Sequence, residues 1–179
     1  MIFAQTQLTL KTLVLSFLCC LHVCANQVEA DKEKAELLSL RVVHPQNEQL
    51  AHKVAKQEIP TPTGYQLAHL PIIDIDTNKV IDKKPILIHR RKIVTAEDVK
   101  AARATGRIGE ISVLLTEKGG EKMLKVTQDM NLGHDRIAVL IESRCVIAPT
   151  VQAKLGRNFI VNGLGDKSEV KRLVRAFNK

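Results

Sequence analysis

Tryptophan is absent from this chain, and aromatic residues are scarce: one tyrosine and four phenylalanines, 3% of 179 residues. Without aromatic platforms a surface for stacking single-stranded nucleic acid is excluded, and the core must be aliphatic. Cysteine is almost as limiting. Cys19, Cys20 and Cys24 crowd the start, and only Cys145 lies beyond them. One cysteine can form neither an internal disulfide nor a cysteine-rich zinc site. Past residue 30 no apolar run approaches the roughly 20 residues that a bilayer span needs. Nine glycines and six prolines in ordinary sequence exclude collagen and low-complexity disorder. Catalytic signatures are missing too. There is no Gly-x-Ser-x-Gly elbow, no phosphate-loop Lys-Ser/Thr pattern and no i, i+4 histidine pair with an acid.

What is present is an ordinary globular balance, 45% hydrophobic and 26% charged, with a net charge of +8. This length suits a single domain with an appendage. The appendage is at the front. Lys11 precedes the apolar run Thr12 to Ala25, a secretory-leader pattern, and small-x-small geometry places cleavage after Ala25 or Ala30. The alternative is a leader retained as a membrane tether. Removing residues 1–30 takes Lys11 and Glu29 together, so the charge is unchanged. Residues 31–36 read as a charged linker and 37–179 as a single domain. Its basic excess is spread, densest at His89-Arg90-Arg91-Lys92 and along Lys167, Lys171, Arg172, Arg175 and Lys179. Such a surface suits acidic proteins or an anionic membrane. Behind a leader, nucleic acid is not an expected partner.

Periodicity predicts strands at Leu37–Val43, Tyr65–Ile75, Pro85–Lys92, Glu110–Leu115 and Phe159–Asn162. The polar stretch 45–63 reads as a loop with one or two helical turns. Thr95, followed by Glu97 and Asp98, predicts a helix over Ala96–Ala104. Thr116 caps a second helix carrying Met123, Leu124, Val126 and Met130. Gly119-Gly120 in its first turn lowers helix propensity and points to close packing there. A third helix starts at Asp166, with Glu169 at capping-box spacing and Val170, Leu173, Val174 and Phe177 on one face, expected to lie on the Ile137–Ala148 hairpin. That hairpin pairs Ile137–Glu142 with Cys145–Ala148 through Ser143-Arg144, before Pro149 breaks or bulges the ladder. Together these give an α+β fold with a largely antiparallel sheet and helices packed on one face.

No candidate for chemistry survives close reading. Asp74-Ile75-Asp76-Thr77-Asn78 imitates the start of a calcium loop, but Lys79 replaces the required glycine and Pro85 the closing glutamate. Cys145 sits in an apolar strand, where a small buried hydrophobe is the better reading than a nucleophile. Gly163-Leu164-Gly165 lacks the third glycine of a dinucleotide fingerprint. The expectation is a non-enzyme without metal, cofactor or small-molecule substrate. An enzyme using Cys145 or a histidine is the competing class, and a basic adaptor is another.

One stretch carries more. Arg136-Ile137-Ala138-Val139-Leu140-Ile141-Glu142-Ser143-Arg144-Cys145-Val146-Ile147-Ala148-Pro149-Thr150-Val151 resembles the head subdomain in the first periplasmic domain of SecD, a subunit accessory to the preprotein translocase. The shared pattern is strand, acidic two-residue turn, strand, then Ala-Pro. Ser112 to Gly120 resembles that family's strand-Thr-x-x-Gly-Ala helix start, and Pro85 to Thr105 its strand, basic residue and Val-Thr. Residues 110–155 carry the most specific likeness. It singles out Thr116, Gly119, Gly120, Glu142, Ala148 and Pro149 as structural or partner-facing, and sets Glu142-Ser143 where the family turn is Asp-Gly. The family's membrane helices have no counterpart here. The resemblance implies a free-standing binding module outside the cytoplasm, periplasmic or extracellular. It would serve protein export or envelope protein handling by contacting unfolded or translocating polypeptide.

Overall fold

The computed structural model describes residues 36–74 and 80–179. The expected leader, its cleavage after Ala25 or Ala30, and most of the 74–78 turn lie outside the described residues. Among them all strand pairing is antiparallel, and the strands divide among three sheets rather than one. The α+β class is as expected.

The first sheet runs β4-β1-β7-β8. It comprises β1 (Leu38–Val42), β4 (Val94–Thr95), β7 (Ile137–Ile141) and β8 (Arg144–Ile147). All five β7 residues are buried because both faces of the sheet are covered. On one face Ala138, Leu140 and Cys145 meet Ile86 and Ile88 of a two-stranded ribbon, β2 (Tyr65–Ile73) and β3 (Val80–His89). Behind the ribbon, α1 (Asn47–Ala55) packs Ala51 and Val54 on Leu87. The polar stretch thus holds a nine-residue helix, fuller than its composition suggests. Buried Asn47 ties it to the ribbon by accepting from the Leu87 amide at 2.7 Å.

The opposite face, Leu38, Leu40, Ile137, Val139 and Ile141, joins the larger core. That core also takes in a third sheet, ordered β5-β6-β9: β5 (Val99–Ala104), β6 (Ile111–Leu115) and β9 (Asn158–Val161). Two helices complete it. Met123 comes from α2 (Glu117–Gln128), and Val170, Leu173 and Phe177 from α3 (Lys167–Phe177). Fully burying an aliphatic or aromatic side chain stabilises by about 1.5–3 kcal/mol, so this shared core holds the sheets and helices together.

Two expectations about strands and turns are corrected. Ala96–Ala104 is not a helix: Ala96–Asp98 form a single 3₁₀ turn and Val99 onward is β5. The Thr95 cap works as expected, since Asp98 accepts from the Thr95 amide at 3.1 Å. The Asp98 carbonyl, however, accepts from Thr116 at 2.8 Å, and Val99 pairs with Leu115. Pairing with β6 overrides helix propensity. The hairpin turn is Glu142-Ser143, not Ser143-Arg144. Both residues have positive φ, 49° and 64°, which matches the right-handed strand twist as a primed turn does.

Thr116 and Asp166 cap their helices as the sequence implies. Thr116 Oγ1 accepts from the Gly119 amide at 3.1 Å. A Cβ on Gly119 would fall 2.8 Å from the Asp98 Cβ, and one on Gly120 would overlap the Arg157 side chain, so both glycines are sites of close approach. Asp166 Oδ1 accepts from Ser168 and Glu169 amides at 2.9 and 3.0 Å. Glu169 does not close the box onto Asp166; it accepts from the Gly165 amide and pairs with Arg144. The apolar face of α3 lies chiefly beside β5 rather than on the β7–β8 hairpin. Just past the helix, Asn178 accepts from the Ala102 amide and donates to the Ala102 carbonyl, both at 2.9 Å. One side-chain amide thereby occupies the free edge of β5.

Candidate functional site

A groove of about 870 Å³ opens where the first and third sheets meet. Its floor is core: Leu40, Met123, Ile137 and Val139. One wall is the end of β8 with the strand-to-loop exit, Ile147, Pro149 and Val151. The other is Leu155 with β9, where Phe159 and Ile160 stand. Ser112, Thr150, Gln152 and Asn158 are its polar lining, and no ionisable side chain lines it. The site therefore offers apolar contact and a few neutral hydrogen-bonding groups, with no acid, base or thiolate for chemistry.

Both walls are pinned. Arg136 Nε donates to the Ala148 carbonyl at 2.9 Å, and Ile137 donates its amide to the Pro149 carbonyl at 3.2 Å. Having no N–H, Pro149 interrupts the ladder, and pairing resumes beyond it at the antiparallel bridge Arg136–Thr150. Val151 is held by Asp135 and Gly133 through backbone bonds of 2.8 and 2.9 Å. Thr127 Oγ1 donates to the Met123 carbonyl and accepts from the Leu155 amide, each at 2.9 Å. The Leu115 amide donates to the Arg157 carbonyl at 2.7 Å, fixing the start of β9. β8 and β9 are both end strands of their sheets among the described residues. The groove is thus bordered by two strands that each pair on one side only within their sheet.

The singled-out residues do not fall together. Pro149 lines the groove wall, while Ala148 is buried with Cys145 and Ile86 on the ribbon side of the first sheet. Thr116, Gly119 and Gly120 form the start of α2, the helix that brings Met123 to the floor. Glu142 is at the far end of the β7–β8 hairpin, where its carboxylate takes both terminal nitrogens of Arg172. Arg136, Met123, Leu155 and Phe159 were missed as a set. The one signal for them was Pro149 following an apolar strand.

Cys145 lies on the opposite side of the first sheet, 2% exposed against the ribbon. Burial pushes its thiol up to about 11, only partly offset by Arg136. A thiol so protonated is a poor nucleophile. Among the described residues no three histidine, cysteine or acidic side chains come together as metal ligands. No helix among them is long and apolar enough to cross a membrane.

The family model for the SecDF P1 head subdomain matches residues 74–178, more than half of the chain. The chain belongs to the SecDF P1 head family. The head domain is also similar to two solved SecDF structures. One is of a membrane component SecDF that enhances protein export, at 20% identity and a TM-score of 0.49, spanning 86% of this chain and 68% of that one. The other is a crystal structure of SecDF in a super-membrane-facing form, at 18% identity and a TM-score of 0.49, spanning 86% of this chain and 20% of that one. No curated protein sequence matches the chain significantly.

Proposed function

We propose that this SecDF P1 head domain assists protein export outside the cytoplasm by holding extended, unfolded polypeptide, and that it performs no chemistry. The observation that carries this reading is the uncharged apolar groove bordered by the end strands β8 and β9. An extended chain can add main-chain hydrogen bonds to a strand edge while its alternate side chains enter an apolar cleft. Main-chain pairing tolerates many sequences, as an export factor needs. Export itself would follow from the leader, with cleavage after Ala25 or Ala30, and the intact mass of the exported protein tests that.

The binding test titrates an unfolded reporter chain and its folded counterpart against the wild type and Ile160→Asp. Ile160 is 61% exposed, so the substitution leaves the fold in place while charging the groove wall. Weak binding of the unfolded reporter alone, lost in Ile160→Asp and retained in Cys145→Ser, is expected. Equal affinity for both reporters would overturn the reading. Loss of function on replacing Cys145 alone would favour the enzyme class.

A further inference from the structure

Helix α3 faces outward with cations that the fold does not use. Lys167, Lys171 and Arg175 are exposed and spaced four residues apart, a stripe about 12 Å long at 1.5 Å per residue. None of them forms an ion pair or side-chain hydrogen bond with a described residue. The neighbouring acids are already committed: Glu169 pairs with Arg144, Glu142 with Arg172, and Asp166 caps the helix. We propose that this outward face of α3 docks the head domain on anionic phospholipid headgroups, with Lys167, Lys171 and Arg175 as the principal contacts.

A membrane fits better than an acidic protein for two reasons. The three cations stand along one straight helix, which a flat, diffuse anionic surface can meet at once. Two of the three are lysines, compact hydrated charges on flexible stems, whereas bidentate carboxylate recognition favours arginine. Each cation at an anionic surface is worth about five-fold in affinity, so the set supplies about a hundred-fold. This contact is electrostatic and falls away with salt, unlike the uncharged groove.

The test is co-sedimentation of the whole chain with vesicles of phosphatidylglycerol mixed into phosphatidylcholine, and with phosphatidylcholine alone. Three proteins are compared: wild type, Lys167→Gln/Lys171→Gln/Arg175→Gln, and the equal-charge control Lys53→Gln/Lys56→Gln/Lys118→Gln at exposed positions elsewhere. All three carry the same N-terminal segment, so any membrane affinity of that segment cancels. The expected result is salt-sensitive binding to anionic vesicles only, lost roughly a hundred-fold in the stripe variant. Binding should be largely kept in the control and restored by Lys167→Arg/Lys171→Arg with Arg175→Lys. Equal losses in both triple variants would reduce the effect to net charge and overturn the proposal. So would stripe-dependent binding to polyglutamate with no binding to vesicles, which would assign the face to an acidic protein. The groove reading survives either failure, since its assay uses soluble reporters.

Discussion

Replacing Phe177 by alanine tests how α3 is held. The ring is 3% exposed in the core shared with Leu173 and Val170. Transfer of a buried phenylalanine to water costs about 1.5–3 kcal/mol. A residual cavity of roughly 80 Å³ at about 24 cal/mol per Å³ adds about 2 kcal/mol. The expected loss is about 3.5–5 kcal/mol, a large share of the 5–15 kcal/mol typical of a domain. With a urea m-value of about 2 kcal/mol/M, the midpoint should fall by roughly 2 M. Far-ultraviolet circular dichroism is the suitable probe, since the chain has no tryptophan and one tyrosine. Loosening α3 also withdraws Asn178 from β5, so the Ala102 amide should exchange with deuterium faster than amides of β7. A cost below about 0.5 kcal/mol, the range of surface substitutions, would refute the packing of this face.

Gly119→Ala should destabilise by about 1–3 kcal/mol despite its gain in helix propensity, because the new methyl meets Asp98 at 2.8 Å; thermal melting checks this, and a stabilised variant would contradict it. Cys145 should resist alkylation in the native protein, with about one thiol in a thousand ionised at pH 8 given a thiol pushed up to about 11; iodoacetamide labelling with and without urea separates burial from chemistry, and fast native labelling would refute it. The hydrogen bonds from Ser168 and from the Glu169 amide hold the Asp166 carboxyl below its ordinary value. Its contribution is therefore present above the ordinary carboxylate range and lost as pH falls through the lowered folded value. Acid titration of Asp166→Asn followed by circular dichroism should show a shallower loss of stability across that window, and an unchanged slope would remove Asp166 from the account.

The misread segment shows what sequence pattern could not carry. Val99 and Ala102 are buried three residues apart, a helical interval, because the ladder slips between Val99 and Ala101. A bulged strand thus imitates helix periodicity, and Thr95 with Asp98 supplies a genuine capping box for a single turn. By contrast α2 and α3 were legible because their caps and apolar faces are local. The turn at Glu142-Ser143 was hard to place from the residues alone, since neither favours positive φ. The groove was least legible of all. Its floor and walls come from β1, α2, β7, β8, the 149–155 segment and β9, brought together only by tertiary packing. The resemblance at 110–155 pointed to Pro149 without showing what that residue encloses.

The amide of Asn178 makes the third sheet asymmetric. At the β5 end a side chain acts as a stopper, while at the other end β9 pairs with β6 alone. Added strands can therefore extend this sheet in one direction only, which blocks the head-to-tail stacking that open edges at both ends would invite. The stopper rides on α3, so partial melting of that helix would uncork the second edge. Self-association on warming would then begin at the temperature where α3 frays.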